Sequence, residues 1–412
     1  MENIPVMLRK LIWADPSPPR LVSVDIMRGL TIALMILVNN PGTWSAIYPP
    51  LRHARWHGWT ITDLVFPFFL FVVGVSIVLA LGRFAGSESG VPTNDIDADR
   101  RRAVRKVIFR AVLLILLGLF LNAFPVLDFD AGGLHKNLRD IRLPGVLQRI
   151  GLCYGFAAIL YLYLGRAPRL LFLLLLLPTY WCVLLLAPVP GFGPGLIDSP
   201  VNNITAWVDR MAFGKFMYRG GPFDPEGLLS TLPALGTTLL GVHAGEFIAS
   251  PRKQSRRGTV RPRYFAPMLL LVGGTGLLAG GVLWSEFLPI NKTLWTGSYV
   301  LLSGGLAAIL LGALYELCEN RNLERVFLPA RIYGVNALLV FVGSALLART
   351  LNLIKVAPDG GKAISLQRHI FLEYFAPLGS PEFASLMYAL AWVAGWFVVP
   401  AVLYRKRVYI RI

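Results

Sequence analysis

Charged residues are scarce in this chain of 412 residues. They make up 15% of it, whereas 55% of the residues are hydrophobic and the mean hydropathy is +0.59. An average soluble domain has roughly 25% charged residues, so the composition excludes that class. Apolar stretches of about 20 residues, each long enough to cross a hydrocarbon core, recur along the sequence. We therefore predict an all-α polytopic membrane protein.

Cysteine is also rare. Cys153, Cys182 and Cys318 lie in or at the edge of apolar segments, which excludes a disulfide framework and predicts buried free thiols. The N-terminal stretch has only a short apolar patch and no small-residue cleavage site, so it does not read as a signal peptide. We expect residues 1–20 to form a cytoplasmic, amphipathic lead-in.

Acidic residues are few beside the basic ones, 23 against 40, and the formal net charge is +17. Nucleic-acid binding would need a solvated basic face, and no soluble segment is large enough to carry one. The basic residues instead cluster in short loops between apolar stretches, as they do in membrane proteins. We predict no nucleic-acid partner and contact with membrane lipid.

About ten membrane spans follow from the hydrophobic runs. They are 22–40, 60–82, 105–123, 144–164, 168–188, 227–247, 265–286, 293–317, 331–350 and 383–404. The predicted organisation is a lead-in at 1–20, a transmembrane domain at 21–404 and a basic cytoplasmic tail at 405–412.

Loop charge predicts the orientation. With the N-terminus inside, the inner segments carry 26 Lys and Arg residues and the outer segments carry 12. Because cytoplasmic loops are enriched in positive charge, we expect both termini in the cytoplasm. The stretch "LRHARWHGWTITDLVFPFF", residues 51–69, then lies at the outer surface.

Polar residues within spans are costly in lipid and mark candidate functional positions. Arg28 shares a helix face with Asp25, so it is either half of an ion pair or a cation for an anionic ligand from the cytoplasm. Asn39 is either a helix-capping residue or an amide donor to a carbonyl oxygen. Gln148 and Arg149 interrupt the fourth span, where Arg149 suits a ligand anchor or the partner of a buried acid.

Three further polar residues are weak candidates when each is taken alone. Asn291 and Lys292 open the eighth span, and Asn336 lies inside the ninth. Together with Arg28, Gln148 and Arg149 they are the predicted cofactor-binding residues.

His53, His57 and Asp63 admit three interpretations. The two histidines lie four residues apart and could be metal ligands with Asp63 as a third, but no zincin-type Glu stands between them. They could be interfacial polar residues in an aromatic belt with nearby tryptophans. The third interpretation is a general base, with His53 oriented by Asp63 if the loop folds back.

A set of motifs extends over residues 20–343. It comprises "RLVSVDIMRGLTIALMILVNN", "LRHARWHGWTITDLVFPFFLFVVG", "RLPGVLQRIGLCY", "FDPEGLLSTLPALGTTLLGVHAG", "FLPINKTLWTGSYVL" and "YGVNALLVFVG". In this order they resemble the transmembrane acetyltransferases related to lysosomal heparan-α-glucosaminide N-acetyltransferase, and the bacterial, NagX-like branch most. The resemblance implies a location in a bacterial inner membrane. We expect this chain to depart from the lysosomal enzyme by lacking its large luminal N-terminal domain.

The resemblance also implies a reaction and a site. Acetyl-CoA would enter from the cytoplasm and donate its acetyl group to the amine of an amino sugar. His53 occupies the position of the active-site histidine and Asn39 that of the catalytic asparagine, while Arg28 and Asp63 match further motif residues. We expect no metal.

Two other classes stay open. An amino-sugar or N-acetylglucosamine transporter also suits ten spans with intramembrane polar residues, and a scaffold without catalysis is the third possibility. The sequence does not identify the acceptor, and it does not distinguish direct transfer from a route through an acetyl-His53 intermediate. The oligomeric state also stays open, and a homodimer is one option.

Overall fold

The computed structural model describes residues 21–85, 93–128, 133–134, 140–255, 264–357 and 362–410. Seven of the described helices are long and apolar enough to cross a membrane, and a bent pair is an eighth candidate. This agrees with the predicted all-α polytopic membrane fold. The predicted lead-in at 1–20 lies outside the described residues, as do the last two residues of the tail, and the cytoplasmic position of both termini stays a prediction.

A helix lies at each of the ten predicted spans. The helices are α1 Val22–Asn39, α2 Ile61–Leu81, α3 Thr93–Ala123, α4 Val146–Tyr163, α5 Arg166–Leu186, α6 Ile204–Phe213, α7 Thr231–Ser255, α8 Phe265–Ser285, α9 Gly297–Tyr315, α10 Leu328–Val335, α11 Ala337–Leu353, α12 Leu366–Ile370 and α13 Pro381–Arg405. The count of seven includes neither α3 nor α7, so the number of ten spans stays a prediction.

Short elements complete the described secondary structure. Strands β1 Leu127–Asp128 and β2 Gly133–Leu134 form one antiparallel pair, and β3 Lys355–Val356 and β4 Ile364–Ser365 form another. Leu127 pairs with Leu134, and Lys355 with Ser365. The remaining turns of helix are Pro49–Leu51, Gly214–Phe216, Tyr218–Gly220, Glu316–Asn320, Phe371–Phe375 and Ala376–Leu378.

The chain divides into two compact units. The terminal unit comprises Met1–His53, Thr60–Val65 and Leu317–Ile412, and the central unit comprises Ala54–Trp59 and Phe66–Glu316. In the terminal unit, α1 packs against α10, α11 and α13. In the central unit, α3 packs against α4, α8 packs against α9, and α7 contacts α4, α5 and α9.

The three cysteines are free thiols, as predicted, but they differ in burial. Cys153 and Cys318 are buried, whereas Cys182 is exposed, so the prediction of burial is wrong for Cys182. Cys182 lies on α5, and only 28% of the apolar window of that helix is buried inside the protein. An apolar span can leave a thiol on its outer face, because lipid covers that face instead of protein.

The ninth predicted span is not one straight helix. Helices α10 and α11 meet at Asn336 with a bend of 81°. The Asn336 side chain donates from Nδ2 to the carbonyl oxygen of Val408 at 3.2 Å and accepts from the N–H of Ile410 at 2.8 Å. Because the bend interrupts the hydrogen bonds of the helix backbone, an amide that binds a second segment here holds the broken span together.

Helices α1 and α10 approach closely through two glycines. A Cβ atom added to Gly29 would lie 1.7 Å from the carbonyl oxygen of Ala330, and one added to Gly334 would lie 1.7 Å from that of Asp25. Small residues allow helix backbones to come this near in a membrane, where packing drives helix association. Any side chain at either position must push the two helices apart.

We expect Gly334→Ala to destabilise the protein by about 3 kcal/mol, the upper part of the range for overpacking, because the clash is with backbone. Thermal unfolding of the purified protein in detergent checks this. Gly395→Ala in α13 is the matched control, since a Cβ there meets no atom within 4 Å. Equal thermal midpoints for the two variants would contradict the close contact.

Candidate functional site

The loop between α1 and α2 folds back on itself, as the general-base interpretation required. The Thr60 hydroxyl donates to the carbonyl oxygen of Arg52 at 2.6 Å. The Arg52 Nε group donates to the carbonyl oxygen of Ile47 at 2.7 Å. The first bond brings Arg52, the residue before His53, next to Thr60, the residue that precedes α2.

His53 and Asp63 are in direct contact. The distance from His53 Nδ1 to Asp63 Oδ1 is 2.7 Å. The Asp63 side chain is 1% exposed, whereas that of His53 is 50% exposed. A carboxylate accepts hydrogen bonds only, so Nδ1 carries the hydrogen and Nε2 is the basic nitrogen of the neutral ring. The contact therefore sets both the orientation and the tautomer of His53.

Asp63 also caps the N-terminus of α2. Its Oδ2 atom accepts from the Thr60 N–H at 3.1 Å, and the Thr60 hydroxyl lies 3.2 Å away. This is the acidic half of a capping box, in which the third helical residue bonds the N–H of the residue before the helix. The sequence "TITD" carries that signal. One carboxylate thus caps α2 through one oxygen and positions the imidazole through the other.

His57 has different partners, all in the central unit. Its Nε2 atom lies 2.8 Å from Asp198 Oδ1, and its Nδ1 atom lies 3.3 Å from Asn291 Nδ2. The adjacent Trp56 donates from Nε1 to the carbonyl oxygen of Ile197 at 2.9 Å. Within the described ranges, no group of three or more His, Cys, Asp or Glu residues is arranged to hold a metal ion.

The two asparagines at the end of α1 are in different environments. Asn40 is buried and donates from Nδ2 to the carbonyl oxygen of Ile36 at 2.9 Å, so it caps the helix. Asn39, the last residue of α1, is exposed. An exposed amide is accessible to a ligand, and the catalytic role of Asn39 stays a prediction.

Arg28 forms the ion pair that its spacing suggested. Its Nη1 atom lies 3.0 Å from Asp25 Oδ1 and 3.4 Å from the carbonyl oxygen of Gly334. Asp25 is buried and Arg28 is partly exposed. This contact ties the start of α1 to α10, and a role for Arg28 in binding CoA phosphate stays a prediction.

Arg149 is buried in the first turn of α4, with 1% exposure. Its Nη2 group donates to the carbonyl oxygen of Gly227 at 3.0 Å and to the Ser230 hydroxyl at 2.6 Å. The guanidinium lies 5.2 Å from the Trp295 ring centre and 6.0 Å from that of Phe66. Within the described part of the chain, its Nε and Nη1 groups have no hydrogen-bond partner. Such buried donors call for a further acceptor.

Two of the other predicted binding residues, Gln148 and Asn291, bond nearby backbone groups. Gln148 donates to the carbonyl oxygen of Leu143 at 3.1 Å. Asn291 is buried and accepts from the N–H of Leu294 at 2.8 Å, in a turn that also contains the half-buried Lys292. Asn336 lies at the helix break described above, and the binding of acetyl-CoA by Gln148, Asn291, Lys292 and Asn336 stays a prediction.

Two sets of arginine–carboxylate contacts were not predicted from the sequence. Arg142 donates from Nε to Asp224 Oδ2 at 2.9 Å and also contacts Glu226. Although burial lowers it, the pKa of Arg142 is raised overall by the two carboxylates. Arg169 contacts Glu246, which lies 3.3 Å from His243 Nδ1. Each arginine is far along the chain from the acids it meets, so local patterns give no signal for these contacts.

Asp209 in α6 is a buried acid near the first network. Burial raises its pKa to about 6, with a smaller contribution from Asp224, although the Leu228 N–H donates to its Oδ1 atom at 2.8 Å. A carboxyl group in this environment takes up a proton near neutral pH.

These features define a multi-pass helical membrane protein whose loop between α1 and α2 presents an exposed imidazole on a buried carboxylate. The sequence model of the family "Heparan-alpha-glucosaminide N-acetyltransferase, catalytic" matches residues 20–279. The chain belongs to this family.

Two mammalian proteins are similar in sequence. The heparan-alpha-glucosaminide N-acetyltransferase of Homo sapiens is 29% identical over 373 residues, which cover 79% of this chain and 53% of the human protein. That of Mus musculus is 29% identical over 378 residues, covering 80% and 54%. The chain spans about half the length of the curated relatives it matches. The assignment to a NagX-like branch stays a prediction.

We expect Asp209→Asn to remove part of the pH dependence of stability. Since the pKa of Asp209 is higher in the folded chain than the usual 3.8, its stabilising contribution is complete below that value and is lost as the pH rises through about 6. Between pH 4.5 and 7.5 the free energy of unfolding of the wild type should fall by roughly 2 kcal/mol relative to that of the variant. Thermal midpoints measured across this range test it. The exposed Glu286→Gln is the control, and parallel curves for wild type and Asp209→Asn would refute the assignment.

Proposed function

We propose that this protein transfers the acetyl group of acetyl-CoA to the amine of an amino sugar, with His53 as general base or acetyl carrier. The observation that supports it most strongly is the 2.7 Å contact between His53 Nδ1 and the buried Asp63 carboxylate. Membership of the N-acetyltransferase family supports the reaction class. The proposed setting is a bacterial inner membrane, with acetyl-CoA entering from the cytoplasm.

As a general base, His53 accepts a proton at Nε2 while the neutral amine attacks the thioester carbon. The new C–N bond forms and the C–S bond breaks, so CoA leaves as the thiolate, which takes up a proton. The net reaction converts ammonium and acetyl-CoA to amide, CoA thiol and one released proton. Asp63 stabilises the imidazolium that forms in between.

As an acetyl carrier, His53 attacks the thioester carbon through Nε2, the C–S bond breaks and CoA leaves as the thiolate. The ring then holds the acetyl group until the amine attacks it and the N–C bond to His53 breaks. Both routes need the same tautomer, with the Nδ1 hydrogen on Asp63. In both, the amide of Asn39 is proposed to donate to the carbonyl oxygen as negative charge develops, a contribution of roughly 3–4 kcal/mol in comparable sites.

CoA phosphates need cationic partners. Arg28 is the first candidate, because its side chain is partly exposed at the start of α1. Arg149 is the second, since two of its buried donors lack a partner in the described part of the chain. A planar fork of donors suits phosphate or carbonyl oxygens.

His53→Ala should reduce acetyl transfer from acetyl-CoA to glucosamine by roughly 10²–10⁴-fold, the usual contribution of general acid–base catalysis. Transfer is measured as acetylated sugar formed by purified protein. CoA should still raise the thermal midpoint of the variant, because a ligand that binds only the folded state stabilises it.

His57→Ala is the matched control for that experiment. It removes an imidazole only four residues away whose partners are Asp198 and Asn291. It should keep most of the turnover. Wild-type turnover in His53→Ala would exclude His53 from the chemistry, whereas sugar uptake by proteoliposomes without acetyl-CoA would favour a transporter.

Asp63→Asn should lower kcat by roughly 10²–10⁴-fold with little change in the KM for acetyl-CoA. The N–H of Thr60 can only donate, so the oxygen of the substituted amide would turn towards it and the NH₂ group towards His53. Nδ1 would then have to accept, and Nε2 would carry the hydrogen. Asp63→Glu, which keeps the charge, should recover part of the loss. If Asp63→Asn changes only the thermal midpoint, Asp63 is no more than a cap for α2.

A further inference from the structure

Helix α3 is longer than a hydrocarbon core is thick, and its two parts differ in charge. Its 31 residues extend over about 46 Å. From Ala111 to Ala123 it has no charged residue. The acids of α3 lie near its start, at Asp95, Asp97 and Asp99. Between them and the apolar part, residues 100–110 contain six basic side chains and no acidic one, namely Arg100, Arg101, Arg102, Arg105, Lys106 and Arg110.

The exposed side of α3 changes from basic to apolar along the helix. Arg101 and Arg105 are exposed and lie one turn apart, whereas Ala103 and Val107 on the opposite side are buried. Residues three or four apart share one side of a helix. At that spacing the side of Arg101 and Arg105 continues with large apolar side chains that are 46% to 55% exposed, namely Ile108, Phe109, Val112, Leu116 and Phe120. We call these seven residues the α3 face.

The basic end of the α3 face has few partners within the protein. Arg102, beside it, lies 3.5 Å from Asp99, and both side chains are exposed, so this ion pair is weak. In the part of the chain that the structure describes, Arg101, Arg105 and Lys106 have no ion-pair partner. Like charges one turn apart on a helix repel each other. The basic end is therefore complementary to an anion from outside the chain.

The apolar end of the α3 face indicates which anion fits. A soluble phosphate would use only the basic end, whereas an anionic phospholipid has a phosphate followed by acyl chains, in the same order as the face. The uncharged part of α3, 111–123, is about 20 Å long and so shorter than a hydrocarbon core of about 30 Å. Arginine and lysine stems can extend along an apolar surface and keep their charges among the headgroups.

We infer that the α3 face is a binding site for an anionic phospholipid. Its phosphate lies on Arg101 and Arg105, and an acyl chain packs along Val112 and Leu116. This site is additional to the proposed acetyl transfer and does not depend on it. In the predicted orientation the lipid belongs to the cytoplasmic leaflet, where anionic headgroups attract basic segments next to a span.

The test uses the full chain in a neutral detergent, titrated with phosphatidylglycerol or with zwitterionic phosphatidylcholine. Native mass spectrometry counts the bound lipid. The wild type should bind phosphatidylglycerol more tightly than phosphatidylcholine. The double variant Arg101→Gln/Arg105→Gln should bind phosphatidylglycerol roughly thirtyfold more weakly, about fivefold for each basic residue. Arg101→Lys/Arg105→Lys, which keeps the charge, should retain most of the affinity.

The matched control is Arg321→Gln/Arg325→Gln. It removes the same charge from two exposed arginines in the loop between α9 and α10. It should bind phosphatidylglycerol as the wild type does. Equal affinity of the wild type for the two lipids, or equal losses in the two glutamine variants, would overturn the inference, because net charge alone would then explain the binding.

Two soluble phosphates separate a lipid site from a site for a free anion. Glycerol phosphate has the charge of the headgroup without acyl chains and should not bind measurably. If it binds as tightly as phosphatidylglycerol, the inference fails. CoA should change the thermal midpoints of the wild type and of Arg101→Gln/Arg105→Gln equally. A CoA shift that is present in the wild type and lost in this variant would make the basic end a CoA site and overturn the inference.

Discussion

A carboxylate buried at the edge of a membrane must have its charge met by donors within the protein. Asp63 meets this requirement with the backbone N–H of Thr60 on one oxygen and the imidazole of His53 on the other. The start of α2 and the position of His53 therefore depend on the same group. Shifting the helix by one residue would move the carboxylate and, with it, the ring. Because the helix cap and the proposed site share Asp63, the geometry of one fixes the geometry of the other.

The same requirement explains the other buried charges. Arg142 meets Asp224 and Glu226, and Arg169 meets Glu246 together with backbone carbonyl groups. Arg149 is stabilised by two aromatic faces as well as by oxygen acceptors. Arginine suits these positions because its planar fork can bind several acceptors at once and stack on rings. Each cluster fastens helix ends that are distant in sequence.

Hydropathy predicted a helix at each of the ten positions, because a span needs a continuous apolar run whatever its neighbours are. The contact of His53 with Asp63 belonged to one of three interpretations of the sequence, since it required the loop to fold back over ten residues. The bend at Asn336 was not, because it depends on the C-terminal segment that the amide binds. Partners such as Arg142 and Asp224 could not be paired from the sequence, as many helix ends carry charge and only packing selects neighbours. The capping role of Asp63 was readable in "TITD".

The two histidines of the loop between α1 and α2 lie in different electrostatic environments. His57 faces a neutral amide and the side chain of Asp198, which is 85% exposed, so water and salt screen that pair. His53 faces a carboxylate that water cannot reach, where charge stabilisation is strongest. Residues 20–279, which match the family, contain both His53 and Asp63. The proposed chemistry therefore resides in the part of the chain that matches the family.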